Sequence, residues 1–585
     1  MRTFWLILSS ILSVNSVVIH TNRGAIQGYK SYEAGKDLPV AVFKGIPLAK
    51  PPLGNLRFKL PEDPEPWKKI LNTTEYSAAC MSNSTRTHSP QKTISEDCLY
   101  VNVFADMRCL VSNASCPVMH FIHGGSFTYN SAVMFNDTQI IQKYASKEIV
   151  FVIPAFRLGI FGFLDFGNDD VAQRNVGFYD IIHGLKWTHE EIHNFGGDPG
   201  SITLFGSSSG ASAVVYLSLS PIVPEDYFHQ IISLSNIPEM TKDCNRNISE
   251  AITARVGCQN GSSEEVLKCL QNKPASELLD QQRDLEIYGV RAFSGPESDG
   301  HALPGLYWEL VQKSSGKPMI LGQTKDEFPI GLHAMENYEE HFCKFYCNFF
   351  DYQSNEAVEE CVQFYKNATG EYSGQFTLET EAIHAINYRD ARHYSSFGQK
   401  VFLTLFDLAN HSKHADDMLF AIGVHPQDEM NEAERFMDTY YPQVLVNFVK
   451  TGNPGNDWLP MSPNGSGFQL IDAYRNGSDF VLPHHSNDAF FPDHVRFWLQ
   501  HLADTDRNAI RTQKPRLPDL IEANPDLGIQ PTSQRRMNQM HMSAFVLSMS
   551  VFFVMVAVVV VLAWRNEPWN EDRQRWSGGG YGSLG

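Results

Sequence analysis

One short segment constrains this chain more than any other. Ile202-Thr203-Leu204-Phe205 reads as a buried strand, Gly206-Ser207-Ser208-Ser209-Gly210 follows at once, and Ala211 to Leu219 reads as a helix of small and apolar residues. Strand, G-x-S-x-G, helix is the setting of a nucleophile elbow. The turn forces its central residue into a strained conformation, and a side chain at either glycine would collide with strand or helix. Ser208 is thereby pushed out at the top of a sheet. A helix N-terminus lies beneath it, where the helix dipole favours negative charge.

An activated serine needs donors for the oxyanion it creates. His123-Gly124-Gly125-Ser126-Phe127 follows the apolar run Val118 to Ile122 and matches an HGGG-type loop. The expected donors are the backbone N–H groups of Gly125, Ser126 and Ser209. The acid and base should follow the serine in the order Ser, Asp/Glu, His. Spacing alone does not choose among the later histidines.

The ends of the chain read as addresses. Arg2, an apolar run from Phe4 to Leu12 and small residues to Ser16 make a secretory signal peptide over residues 1–16. Residues 542–564 carry no charge and, as a helix, would extend roughly 34 Å, enough for one membrane span. Because a polar tail (565–585) follows, the span reads as permanent and not as a glycolipid-anchor signal. Residues 501–541, with four prolines and mixed charge, read as a stalk or linker. The expected molecule is a single-pass type I membrane protein whose head, residues 17–500, is luminal or extracellular. Sequons begin at Asn72, Asn83, Asn113, Asn136, Asn247, Asn260, Asn367, Asn410, Asn464 and Asn476, none beyond the span. All ten cysteines lie between Cys80 and Cys361, which suits disulfides in an oxidising compartment. Cys109 and Cys116 close a short loop and are placed to pair; Cys343, Cys347 and His341 suggest a metal site less well than they suggest disulfides, and no metal is expected. In the tail, Tyr581 to Leu584 fits a Y-x-x-hydrophobic sorting signal read by adaptor proteins, pointing to the cell surface or endosomal and lysosome-related membranes.

Length and charge then acquire meaning. A chain of 585 residues suggests several domains, but the segments above leave one large head. A net charge of −19 argues against nucleic-acid binding, which needs basic surface to displace phosphate counterions.

The head resembles the type-B carboxylesterase/cholinesterase family of α/β-hydrolases, especially its invertebrate carboxylesterase members, from about residue 20 to 500. The resemblance is carried by Phe43-Lys44-Gly45-Ile46-Pro47 through Leu56-Arg57-Phe58, Glu96-Asp97-Cys98-Leu99-Tyr100-Val101-Asn102-Val103, Arg157-Leu158-Gly159 with Gly162-Phe163-Leu164, and Phe195-Gly196-Gly197-Asp198-Pro199 leading into the elbow. It implies an α/β fold with a mostly parallel central sheet, helices on both faces, no cofactor and a small-molecule ester substrate. By the family's G-x-x-x-[DE]-E pattern it assigns the acid to Glu327, in Gly322-Gln323-Thr324-Lys325-Asp326-Glu327. By its H-[GA]-x-[DE]-hydrophobic pattern it assigns the base to His414, in His414-Ala415-Asp416-Asp417-Met418. It implies disulfides Cys80–Cys98 and Cys258–Cys269.

Departures from the family pattern narrow the reading. Ser207 stands where the family has a glutamate before the nucleophile, and Ser126 where it has a third oxyanion glycine. His88 stands where cholinesterases carry a choline-binding tryptophan. Without that ring and that carboxylate, a cation–π and a Coulomb term are gone, which argues against choline esters. The expected reaction is ester hydrolysis through an acyl-enzyme on Ser208. One alternative is transfer of the acyl group to an alcohol by the same triad. Another is a neuroligin-like adhesion protein, which shares this layout but lacks a working nucleophile; the filled triad positions favour the enzyme.

Overall fold

The structure, a computed structural model, describes residues 15–82, 93–111, 115–238, 245–286, 295–314, 316–328, 338–367, 377–424 and 429–513. Residues 1–14 of the signal peptide expected over 1–16, the span expected at 542–564 and the tail expected to carry Tyr581 and Leu584 as a sorting signal lie outside the described residues. Among the described residues no helix is long and apolar enough to cross a membrane.

Among the described residues a 13-stranded mixed sheet organises the head. In chain order its strands are β1 (Ser16–Thr21), β2 (Gly24–Ser31), β3 (Val40–Pro47), β4 (Leu71–Asn72), β5 (Tyr100–Asp106), β6 (Cys116–Ile122), β7 (Val150–Pro154), β8 (Gly197–Ser207), β9 (Gln230–Leu234), β10 (Met319–Thr324), β11 (Val401–Phe406), β12 (Phe468–Ile471) and β13 (His484–Ser486). In space they run β1-β2-β3-β5-β7-β6-β8-β9-β10-β11-β12-β13, with β4 beside β2. From β7 to β12 every neighbouring pair is parallel; the pairs at both edges are antiparallel, apart from β2–β4.

The parallel middle follows from sequence. β7 (VFVIP) and β11 (VFLTLF) are buried at every residue, as strands covered on both faces must be. The covering helices that matter for the site are α1 (Val176–Glu191), α2 (Ser209–Leu219), α3 (Thr377–Ser396), α4 (Asp417–Ile422) and α5 (Glu432–Thr451). α2 is buried almost throughout, so its small residues (Gly210, Ala211, Ser212, Ala213) reflect how closely it packs on the sheet.

Two expectations change here. Part of the stalk expected from residue 501 is helical: α6 spans Leu502–Gln513. Leu502, Asp506 and Ala509 on it are buried, and Asp506 accepts hydrogen bonds from the backbone N–H groups of Gln353 (2.8 Å) and Ser354 (2.6 Å). Charged residues between these positions disguise the helical spacing, and the prolines that suggest a linker begin only at Pro515. The cysteines also differ in part. Cys80–Cys98, Cys109–Cys116 and Cys258–Cys269 are bonded, and Cys343 pairs with Cys361, joining helices Tyr338–Phe349 and Asn355–Asn367. Cys347 is a buried free thiol that burial pushes up to about 12, and Cys244 lies outside the described residues. Pairing cannot be read from spacing alone, because it depends on which Cα atoms the fold brings together.

Candidate active site

Ser208 sits between β8 and α2 with φ 57° and ψ −130°, a strained backbone for a residue with a side chain. Its N–H donates to Leu234 O (2.9 Å) and its carbonyl accepts from Ser212 N (3.0 Å), so strand β9 and the first turn of α2 fix the bend. The flanking glycines leave no choice of residue. A Cβ on Gly206 would lie 2.1 Å from Gly210 O, and one on Gly210 would lie 2.1 Å from Ile122 O. The same closeness ties the elbow to the end of β6, from which the oxyanion loop departs.

That loop turns sharply through Gly125 (φ 120°), Ser126 (φ 51°) and Phe127 (φ 54°). Thr128 N (2.9 Å) and Tyr129 N (3.0 Å) both donate to Gly125 O, and the Asn130 amide donates to Gly124 O (3.2 Å). Phe127 N donates to Ser209 Oγ (3.3 Å), joining the loop to the first residue of α2. Among the described residues the N–H groups of Gly125, Ser126 and Ser209 make no backbone hydrogen bond outside regular elements. Ser126 carries its side chain with φ in the left-handed region, at a strain of roughly 1 kcal/mol that glycine would avoid. Beneath the loop His123 is 1% exposed, donates from Nδ1 to Gly124 O (2.8 Å) and stacks on Phe156. Burial pushes its imidazole down to about 4, so it is a neutral structural ring at ordinary pH.

Glu327 and His414 arrive on the loops that leave β10 and β11. Backbone bonds zip these loops together: Lys325 N to Phe406 O (3.0 Å), Asp326 N to Ser412 O (2.8 Å) and His414 N to Glu327 O (2.8 Å). Ser412 Oγ adds a bond to Asp326 (2.7 Å). The result is a continuous chain of side chains. Thr324 N donates to Glu327 Oε1 (2.8 Å), Glu327 Oε2 lies 2.5 Å from His414 Nδ1, and His414 Nε2 lies 2.9 Å from Ser208 Oγ. The Glu327 carboxylate is fully buried, while the His414 side chain keeps 20% of its surface. Burial by itself would raise the Glu327 carboxyl, but its hydrogen bond and charge pairing with His414 and the Thr324 N–H outweigh that and hold it below the usual glutamate range. A carboxylate here favours the tautomer with its proton on Nδ1, so that the Nε2 lone pair faces Ser208 Oγ.

Three features of this site are visible only in the folded chain. The Phe328 ring stacks on His414, with centroids 4.4 Å apart. Asp417, at the start of α4, is 1% exposed, and its carboxylate has no side-chain hydrogen-bond partner, only the backbone N–H groups of Asp417 and Met418 beside it. Burial, with the Glu327 and Asp416 charges adding to it, pushes Asp417 up to about 8. Third, Ser207, which replaces the family's glutamate, is buried beside the elbow. Among the described residues no cluster of His, Cys, Asp or Glu is placed to hold a metal ion, and Cys343 is committed to a disulfide.

The carboxylesterase family model matches residues 15–489. The chain belongs to the carboxylesterase family. Carboxylesterase 1D of Rattus norvegicus is 35% identical over 337 residues, covering 53% of this chain and 58% of that protein. Carboxylesterase 1F of Mus musculus is 38% identical over 338 residues, covering 53% and 59%. The matched region thus spans about three fifths of these relatives. The crystal structure of juvenile hormone esterase from Manduca sexta, with OTFP covalently attached, superposes with a TM-score of 0.72 at 24% identity, covering 84% of this chain and 100% of that one. At that identity the likeness speaks to the fold, which is that of an α/β-hydrolase.

Proposed function

We propose that this chain is a serine carboxylic-ester hydrolase acting on a small-molecule ester through an acyl-enzyme on Ser208. The observation that carries the reading is the unbroken hydrogen-bonded chain Ser208–His414–Glu327 at the mouth of the elbow. In this account His414 Nε2 takes the Ser208 proton as Oγ attacks the ester carbonyl. Glu327 stabilises the imidazolium that results. The N–H groups of Gly125, Ser126 and Ser209 receive the charge that develops on the carbonyl oxygen, commonly the largest single contribution to such catalysis. His414 returns the proton to the departing alcohol. Water then enters with the same base and releases the acid.

The disulfides suit an oxidising compartment. The sequon asparagines Asn72, Asn136, Asn247, Asn260, Asn410, Asn464 and Asn476 are exposed, while Asn83 and Asn113, and the side chain of Asn367, lie outside the described residues. Both observations support a luminal or extracellular head carried by the 542–564 span. A panel of p-nitrophenyl esters of rising acyl length, assayed with and without an acceptor alcohol, tests the reaction. Free acid as the main product is expected; a product that is mostly the new ester would replace hydrolysis by transfer, and no turnover of any ester would remove the enzyme reading.

A further inference from the structure

Glu327 and Phe328 are neighbours in sequence, yet they meet different surfaces of one imidazole. Glu327 holds the Nδ1 edge of His414 at 2.5 Å, and Ser208 lies at the Nε2 edge at 2.9 Å. Both contacts lie at ring edges. They fix the axis through the two nitrogens but leave the ring faces uncovered and its tilt about that axis weakly determined. The Phe328 ring occupies one face, with centroids 4.4 Å apart and planes 25° from parallel. Its backbone is anchored independently of the triad, because Phe328 N donates to the hydroxyl of the buried Thr380 on α3 (3.2 Å). The stack is therefore held by a helix that supplies none of the three triad side chains.

We infer that Phe328 is a positioning residue for the reaction, one that acts through His414 by favouring its charged form over its neutral form. The inference rests on the reading of His414 as the general base. In each half-reaction His414 starts neutral and becomes an imidazolium as the proton leaves Ser208 or water. A cation within about 6 Å of an aromatic centroid is attracted by the ring's negative face, whereas the neutral imidazole gains much less. An interaction that strengthens as charge develops lowers the barrier and so raises kcat, while substrate binding, and with it KM, is little affected. The same ring also sets the tilt of the imidazole, which any side chain of similar bulk would do. Electronic and steric contributions can thus be separated by substitution.

The test uses the purified full chain and the series Phe328→Tyr, Phe328→Leu and Phe328→Ala. One aliquot of each protein is titrated with a fluorophosphonate to count competent sites, and a separate, unlabelled aliquot is assayed with p-nitrophenyl butyrate across pH. Phe328→Leu keeps bulk and loses the π face. It is expected to label fully, to lose about fivefold in kcat with KM within about twofold, and to move the acid limb of kcat/KM to lower pH, since the imidazolium has lost a favourable partner. Phe328→Tyr should restore both readouts, and Phe328→Ala should lose more than Phe328→Leu because the tilt is also freed. If Phe328→Leu fails to fold, Phe328→Met makes the same comparison. A leucine or methionine variant with wild-type kcat and an unmoved acid limb overturns the inference, as does a tyrosine variant that rescues neither. Failure of the wild-type chain itself to label would instead remove the reading of Ser208 on which the inference stands.

Discussion

Backbone geometry holds Ser208, whereas contacts between distant loops hold Glu327 and His414. On the serine side the determinants are local: one strand, one turn, one helix and two glycines whose Cβ positions would overlap backbone atoms 2.1 Å away. On the acid–base side two loops, leaving adjacent parallel strands, are joined by three backbone hydrogen bonds and then by the carboxylate–imidazole pair. The first arrangement has no freedom to relax; the second depends on each partner to hold the other. Substitutions should therefore fail in different ways on the two sides.

The largest expected effect is Ser208→Ala, which removes the attacking atom but leaves the backbone bend in place. Ester hydrolysis should fall by about 10⁴-fold or more with the thermal midpoint nearly unchanged. Glu327→Gln comes next. It is nearly isosteric yet loses the charge that orients and balances His414, so kcat should drop about 10³- to 10⁴-fold. Steady-state kinetics and thermal unfolding check both, and a Glu327→Gln enzyme of near wild-type rate would break the comparison. On the serine side a mutation off the reacting atoms should instead cost the fold. Gly210→Ala places a methyl against Ile122 O and should destabilise the chain by about 3 kcal/mol or prevent soluble expression.

Asp417 gives the acid–base side a pH signature. Folded, its carboxyl is pushed up to about 8 by burial and by the neighbouring Glu327 and Asp416 charges. Unfolded, it titrates near roughly 4. Between those values the folded chain holds a proton the unfolded chain has released, so this group's contribution to stability falls as pH rises from about 4 to 8. Asp417→Asn removes that slope. Its thermal midpoint relative to wild type should improve between pH 5 and pH 8, by an amount corresponding to a few kcal/mol. An unchanged difference across that range would show the carboxyl to be ionised throughout. The smallest effect is expected at Ser126. Replacement by glycine relieves a positive φ and should stabilise the chain by about 1 kcal/mol while leaving kcat within about twofold.

The same contrast explains what could be read from sequence. The elbow was legible because its chemistry is written in consecutive residues: an apolar run ending at Phe205, glycines at 206 and 210, and small residues where α2 meets the sheet. The parallel centre was legible for a similar reason, since strands such as Val401–Phe406 are apolar without alternation. Glu327 and His414 were reachable only by resemblance, because nothing local distinguishes His414 from His411, which instead bonds Glu434 (2.9 Å). Phe328 carries no signal in any linear pattern, and Asp417 stands in one only as the acidic position of the histidine motif, which says nothing of its burial. A ring stack and a buried carboxyl without a side-chain partner exist only once the loops after β10 and β11 have met. The helix over Leu502–Gln513 was hidden for a different reason: its buried face is just one narrow stripe with an aspartate in it.

The central claim is that Ser208 is the nucleophile, made reactive by its place in the elbow and by His414. The most direct measurement is peptide mass spectrometry after treating the purified chain with a fluorophosphonate. The account predicts one adduct, on the peptide containing Ser208, absent when the protein is heat-denatured first and absent in Ser208→Ala, and formed far more slowly in His414→Ala. No adduct on the folded chain, or one that persists in Ser208→Ala, would contradict it.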